Sequence, residues 1–79
     1  MKFGIKVMPR EVILDTQGRA VEETLRQHRH QLDRCRVGKF IELEVPAKSE
    51  SEGQEMVKKM AEFVLYNPLI ETYEIQRLS

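Results

Sequence analysis

Arg34-Cys35-Arg36-Val37-Gly38-Lys39-Phe40-Ile41-Glu42-Leu43-Glu44-Val45 is the stretch that decides how this chain is read. Cys35, Val37, Ile41, Leu43 and Val45 share one parity, while Arg34, Arg36, Gly38, Phe40, Glu42 and Glu44 share the other, the two-residue period of a strand with one apolar face. A tight hairpin at Gly38-Lys39 would set Val37 against Phe40 and Arg36 against Ile41, a charge across from an apolar side chain. One long strand over about 34–45 keeps the apolar set together, and Pro46 stops it. At ordinary rise such a strand runs roughly 35–40 Å. That is longer than one small domain needs, so its far end projects or bends unless a second subunit continues the sheet.

Upstream, Phe3, Ile5 and Val7 alternate with Lys2, Gly4, Lys6 and Met8, a half-buried strand that Pro9 ends. Residues 10–15 connect it onward, and Val12, Ile13 and Leu14 are apolar enough to fold back against the body. Asp15 is placed to cap a helix over about 16–29, with Val21 and Leu25 on its apolar side and Arg19, Glu22, Glu23 and Arg26 toward water. Gly18 costs stability in a first helical turn, and close approach of another backbone would account for it.

Downstream, Ser49 or Ser51 opens a second helix, since either makes a capping box with Glu52 or Gln54. Met56, Val57, Met60, Ala61, Phe63 and Val64 form a broad apolar stripe, and Asn67-Pro68 ends the helix. Residues 70–77 resume alternation with Tyr73 and Ile75 inward. The order strand, helix, long strand, helix, strand predicts an α+β two-layer sandwich, a small sheet with two helices on one face. A single domain over 1–79, without repeat or linker, is expected.

The 79 residues include 13 basic and 13 acidic side chains. With no net charge and alternating signs, the chain has no field to draw nucleic acid or an anionic membrane. No apolar run approaches a membrane span, and Met1-Lys2-Phe3-Gly4-Ile5 lacks a secretory signal's apolar core, so a cytoplasmic location is the default expectation. One cysteine and two histidines supply neither a disulfide nor a structural zinc site. A domain this small buries only about 60% of its unfolded surface. Association with partners is the remaining common source of burial.

Taken in order, Val7-Met8-Pro9, Ile13-Leu14-Asp15, Gln17-Gly18, Ala20-Val21, Val37-Gly38-Lys39-Phe40-Ile41-Glu42-Leu43, Met60, Asn67-Pro68 and Ile70-Glu71-Thr72-Tyr73 resemble the PurS family, small subunits of phosphoribosylformylglycinamidine synthase. The chain departs from the family pattern at Thr16, where proline is usual, at Arg29-His30, where a glycine turn is common, and at Tyr66, where alanine is usual. The resemblance implies a non-catalytic assembly subunit in the fourth step of purine synthesis. There formylglycinamide ribonucleotide, glutamine and ATP give formylglycinamidine ribonucleotide, glutamate, ADP and phosphate. It further implies a homo-oligomer, dimer or dimer of dimers, that bridges the synthetase PurL and the glutaminase PurQ and supports ammonia transfer. ATP, magnesium and glutamine would be used by that complex and no cofactor held by this chain alone. A different class, a small dimeric regulatory or small-molecule-binding module, is the alternative.

No catalytic residue and no metal ligand stands out. His28 and His30 lie two apart, which does not aim both at one metal. Gly38-Lys39 lacks the longer glycine-rich run of a phosphate loop. Glu42 and Glu44 have no second acid placed to perturb them for acid/base work. Asp15, Cys35 and Tyr73 are read as structural. Gly18, Arg36, Gly38, Lys39, Asn67, Pro68 and Glu71 are read as candidates for a subunit or partner interface, so that Gly38→Trp should impair association more than folding.

Overall fold

The computed structural model describes all of residues 1–79. β1 (Lys2–Pro9) is the central strand, with β2 (Lys39–Glu44) and β3 (Glu71–Arg77) antiparallel on either side of it. The helices are α1 (Thr16–Gln27) and α2 (Glu50–Met60), and α2 runs on into a π-helical turn over Ala61–Leu65. The class is α+β and the order of elements is the one the sequence pattern gives.

Register explains the core. Ile5 lies opposite Ile41 on one side and Ile75 on the other, while Phe3 meets Leu43 and Val7 meets Tyr73. One face of the sheet is thereby apolar, and Phe3, Ile5 and Val7 are fully buried on it beneath Val57 and Ala61. Each large side chain so buried contributes about 1.5–3 kcal/mol. The opposite face carries Lys2, Lys6, Glu42, Glu44, Glu74 and Gln76, and the register pair Lys6 and Glu74 closes an ion pair of 2.8 Å.

Ser49 is the residue that opens α2: its hydroxyl accepts the Glu52 amide at 3.2 Å, and Glu52 reaches back to the Lys48 amide at 3.2 Å. Val57, Ala61 and Leu65 then face the sheet. The wide π turn carries Val64 off that line, so Phe63 is 88% exposed and Val64 69% exposed instead of completing the expected inward stripe.

Three expectations change. The long strand over 34–45 is replaced by β2 at Lys39–Glu44, because its pairing with β1 stops at Val7–Lys39 and beyond that point Asp15 takes the Val37 amide. The helical layer is also uneven, since α2 and its π turn cover the sheet while α1 packs extensively on no strand. Finally, Val12 and Leu14 point to water, at 90% and 64% exposure, and only Ile13 of that run is half-buried. With α1 held off the sheet, the connection has no layer to fold against. The molecule measures 49 × 27 × 15 Å, and no helix in it is long and apolar enough to cross a membrane.

Candidate interaction surface

Asp15 anchors α1. One carboxylate oxygen accepts the Gly18 amide at 2.8 Å, the N-terminal cap of the helix, and the other accepts the Val37 amide at 2.8 Å. These donors, Val37 first and Gly18 second, hold the Asp15 carboxyl below the usual carboxylate range. Gly18 is buried at this junction, where any side chain would come within 2.6 Å of the Cys35 carbonyl oxygen. Its place in the first turn is thus explained by the close passage of residues 35–37.

The same segment is clamped from the other side. Arg36 donates to the Pro9 carbonyl and pairs with Glu11 at 3.1 Å, and Arg34 pairs with Glu11 at 2.6 Å. The Arg34 hydrogen bond, then the charges of Arg34 and Arg36, keep the Glu11 carboxyl below its usual range. Gly38 lies so near the end of β1 that a Cβ would overlap the Val7 carbonyl oxygen and the Met8 sulfur. The first contact for any side chain at position 38 is therefore within its own chain, so Gly38→Trp strains the fold whatever it does to association. Cys35 is half-buried in this knot, and Lys39 heads β2 beyond it with its side chain in water.

A second tied feature is the corner before β3. The Asn67 side-chain oxygen accepts the Leu69 amide at 3.0 Å, its backbone carbonyl accepts Ile70 and Glu71 at 3.1 and 2.8 Å, and its amide donates to the Glu71 carboxylate at 2.7 Å. Arg10 closes the corner from β1 by donating twice to the Pro68 carbonyl, at 3.0 and 2.7 Å. The product is a fixed turn with Leu69 standing 82% exposed at its tip. Behind it, the Tyr73 hydroxyl donates to Glu62 at 3.3 Å and its ring lies 4.6 Å from that of Tyr66. Desolvation, helped by the Glu62 charge, raises the Tyr73 phenol above its usual range.

Gly18 thus meets Asp15 and Cys35 at the root of α1, Arg36 and Gly38 tie the same segment to the end of β1, and Asn67, Pro68 and Glu71 form a separate corner. Arg10 and Glu11 join both features to the end of β1, and sequence reasoning passed over them. Their signal was two adjacent charges directly after a strand-ending proline. The two histidines are apart in role, with His28 placing Nδ1 2.9 Å from the Thr24 carbonyl at the end of α1. Elsewhere on the surface, Val12, Leu14, Val21, Phe63, Val64 and Leu69 are apolar and open to water.

Comparison with known proteins agrees with this geometry. The family model for PurS, phosphoribosylformylglycinamidine (FGAM) synthase, matches residues 2–79. The PurS subunit of phosphoribosylformylglycinamidine synthase from Thermotoga maritima is 38% identical over 78 residues, covering 98% of this chain and 95% of that protein. A chain in the structure of PurLQS from Thermotoga maritima superposes with a TM-score of 0.91 at 38% identity, covering 98% of this chain and 95% of that one. PurS of B. subtilis superposes with a TM-score of 0.80 at 34% identity, over 95% of this chain and 94% of that one.

Proposed function

Because the chain belongs to the PurS family of phosphoribosylformylglycinamidine synthase subunits, we propose that it acts as the small assembly subunit of that synthase in purine biosynthesis. In this role it joins a PurL-type synthetase to a PurQ-type glutaminase as a homo-oligomer and contributes no catalytic group. The observation that carries the reading is the family match across residues 2–79 together with the superposition on a chain of PurLQS.

The chemistry of its side chains is consistent with that division of labour. Asp15 and Glu11 are committed to amides and guanidinium groups that fix the fold, and Tyr73 is pushed away from ionisation. The Glu11 and Asp15 contacts stabilise the fold, and all three groups are shifted away from neutrality, the wrong direction for acid/base work. Glutamine, ATP and magnesium are then handled by the larger subunits, in the cytoplasm, and this chain positions them so that ammonia passes between them without loss. Gly18, Arg36 and Gly38 serve by fixing the root of α1 against the end of β1 from within, and Lys39 and the Asn67–Pro68–Glu71 corner are surfaces offered to other chains.

Gel filtration of this chain with a PurL-type synthetase and a PurQ-type glutaminase tests the reading. A three-component peak, formed in the presence of glutamine and ATP, is expected. Elution of this chain alone under every condition would sink it.

A further inference from the structure

Between the first turns of α1 and residues 34–36 lies a cleft of about 290 Å³ whose walls carry three arginines, Arg19 from the helix and Arg34 and Arg36 from the segment before β2. Ile13 and Leu14 give it an apolar side. Ligand sites run from about 300 to 1,000 Å³, so the space suits a small molecule.

The cations in this cleft have bonding capacity to spare. Arg19 makes no ion pair within the chain. Arg34 and Arg36 share the single carboxylate of Glu11, at 2.6 and 3.1 Å, and Arg36 also donates to the Pro9 carbonyl. A guanidinium carries more N–H donors than these contacts use, so both side chains are held in place with donors still free. The two acids on the cleft wall are already committed, because Asp15 accepts the Gly18 and Val37 amides and Glu22 pairs with Arg26 at 3.0 Å. Arg19, Arg26, Arg34 and Arg36 thus stand against Glu11, Asp15 and Glu22, four cations to three anions. The N-terminal end of α1 adds its positive pole. The cleft is cationic in a chain that has no net charge.

Stereochemistry favours phosphate over carboxylate here. A carboxylate presents one edge, which a single guanidinium fills with two parallel bonds. A phosphate offers three strong acceptor oxygens spread around one centre, so it can bond Arg19 on one wall together with Arg34 and Arg36 on the other. We propose that this cleft binds a phosphate group, free or carried on a small molecule whose body lies against Ile13 and Leu14. Occupancy ties α1 to residues 34–36 at a second point besides Asp15, and so steadies a helix that packs extensively on no strand. The site goes beyond the assembly role and is independent of it.

NMR titration of the ¹⁵N-labelled whole chain at constant ionic strength, with inorganic phosphate, phenyl phosphate and glutamate as separate probes, tests the site. Both phosphates are expected to shift residues 34–37 and the first turn of α1 and to saturate in the millimolar range or below. Tighter binding of phenyl phosphate identifies a phosphorylated molecule as the ligand, and equal binding identifies free phosphate. Arg19→Gln loses no ion pair of the chain, so its circular dichroism should hold while phosphate binding weakens at least about tenfold, the loss of a charge-assisted pair. Lys59→Gln removes the same charge from α2, outside the cleft, and should bind as the wild type does. Shifts that do not saturate in that range, glutamate bound as tightly as phosphate, an Arg19→Gln chain with wild-type affinity, or an equal loss in Lys59→Gln overturns the site. A chain that binds phosphate in this way yet joins neither larger subunit supports the site while removing the proposed function, so the two readings fail separately.

Discussion

At Arg29 one side chain occupies a backbone position made for another. The His30 amide bonds the Leu25 carbonyl at 3.0 Å and the Arg29 amide bonds the Arg26 carbonyl at 3.0 Å, the paired closure of a Schellman motif, which puts Arg29 at φ 69°. Glycine takes this conformation without strain, and an L-residue with a Cβ pays about 1–2 kcal/mol. Arg29→Gly is therefore expected to stabilise the chain by about 0.5–1 kcal/mol after the greater freedom of glycine in the unfolded state is allowed for, read as a higher urea midpoint at unchanged slope. At Gly38 the sign is opposite. A methyl there meets the Val7 carbonyl of the central strand, which cannot move without breaking its ladder, so Gly38→Ala is expected to cost about 1–3 kcal/mol, as overpacking does. Gly4→Ala makes the contrast, because the atoms it meets belong to the half-exposed ring of Phe40, which can swing away. A Gly4→Ala midpoint lower than that of Gly38→Ala would contradict this ordering.

Among the elements, α1 depends on a titratable anchor. Asp15 binds two amides in the folded chain and none in the unfolded one, so its folded value is depressed; Glu11 is depressed likewise by Arg34 and Arg36. For a depressed carboxyl the stabilisation is fully present above the unfolded value and is lost as pH falls through the folded one. Acid titration followed by circular dichroism at the helix band is expected to show helix loss below the ordinary carboxylate range. Asp15→Asn should reduce the stability at neutral pH and flatten that acid slope, and a slope identical to wild type would refute the role. Much of this was legible in the sequence. Asp15 before a periodic apolar run announced a cap, Ser49 with Glu52 announced another, and Phe3, Ile5, Val7, Tyr73 and Ile75 announced a shared sheet face. What was not legible followed from long-range pairing. Alternation over 34–45 is equally satisfied by a strand and by an extended segment whose Val37 amide goes to a side chain, and only the end of β1 decides between them. The π turn after Met60 likewise leaves no local mark, so nothing in the sequence separates Phe63 and Val64 from the broad stripe that Val57 and Ala61 carry to the sheet.

For the whole molecule the consequence is an elongated chain in which α2 covers the sheet and α1 packs extensively on no strand. The candidate residues divide accordingly: Gly18, Arg36 and Gly38 meet their own chain, while the apolar side chains open to water include Val21 on α1, Phe63 and Val64 after α2, and Leu69 at the corner. Glycine and arginine outside ordinary propensity signal close packing, and sequence alone does not say whose backbone does the packing. Three separate open surfaces on a chain of 79 residues suit a part that holds larger ones together. The central claim is that this chain makes a synthetase and a glutaminase competent as one enzyme. Its most direct test is titration of this chain into the separate PurL-type and PurQ-type subunits, measuring glutamine-dependent formation of formylglycinamidine ribonucleotide. Turnover that rises with added chain and saturates at a fixed ratio of subunits is the result expected, and glutamine-dependent turnover that is the same with and without this chain would contradict the account.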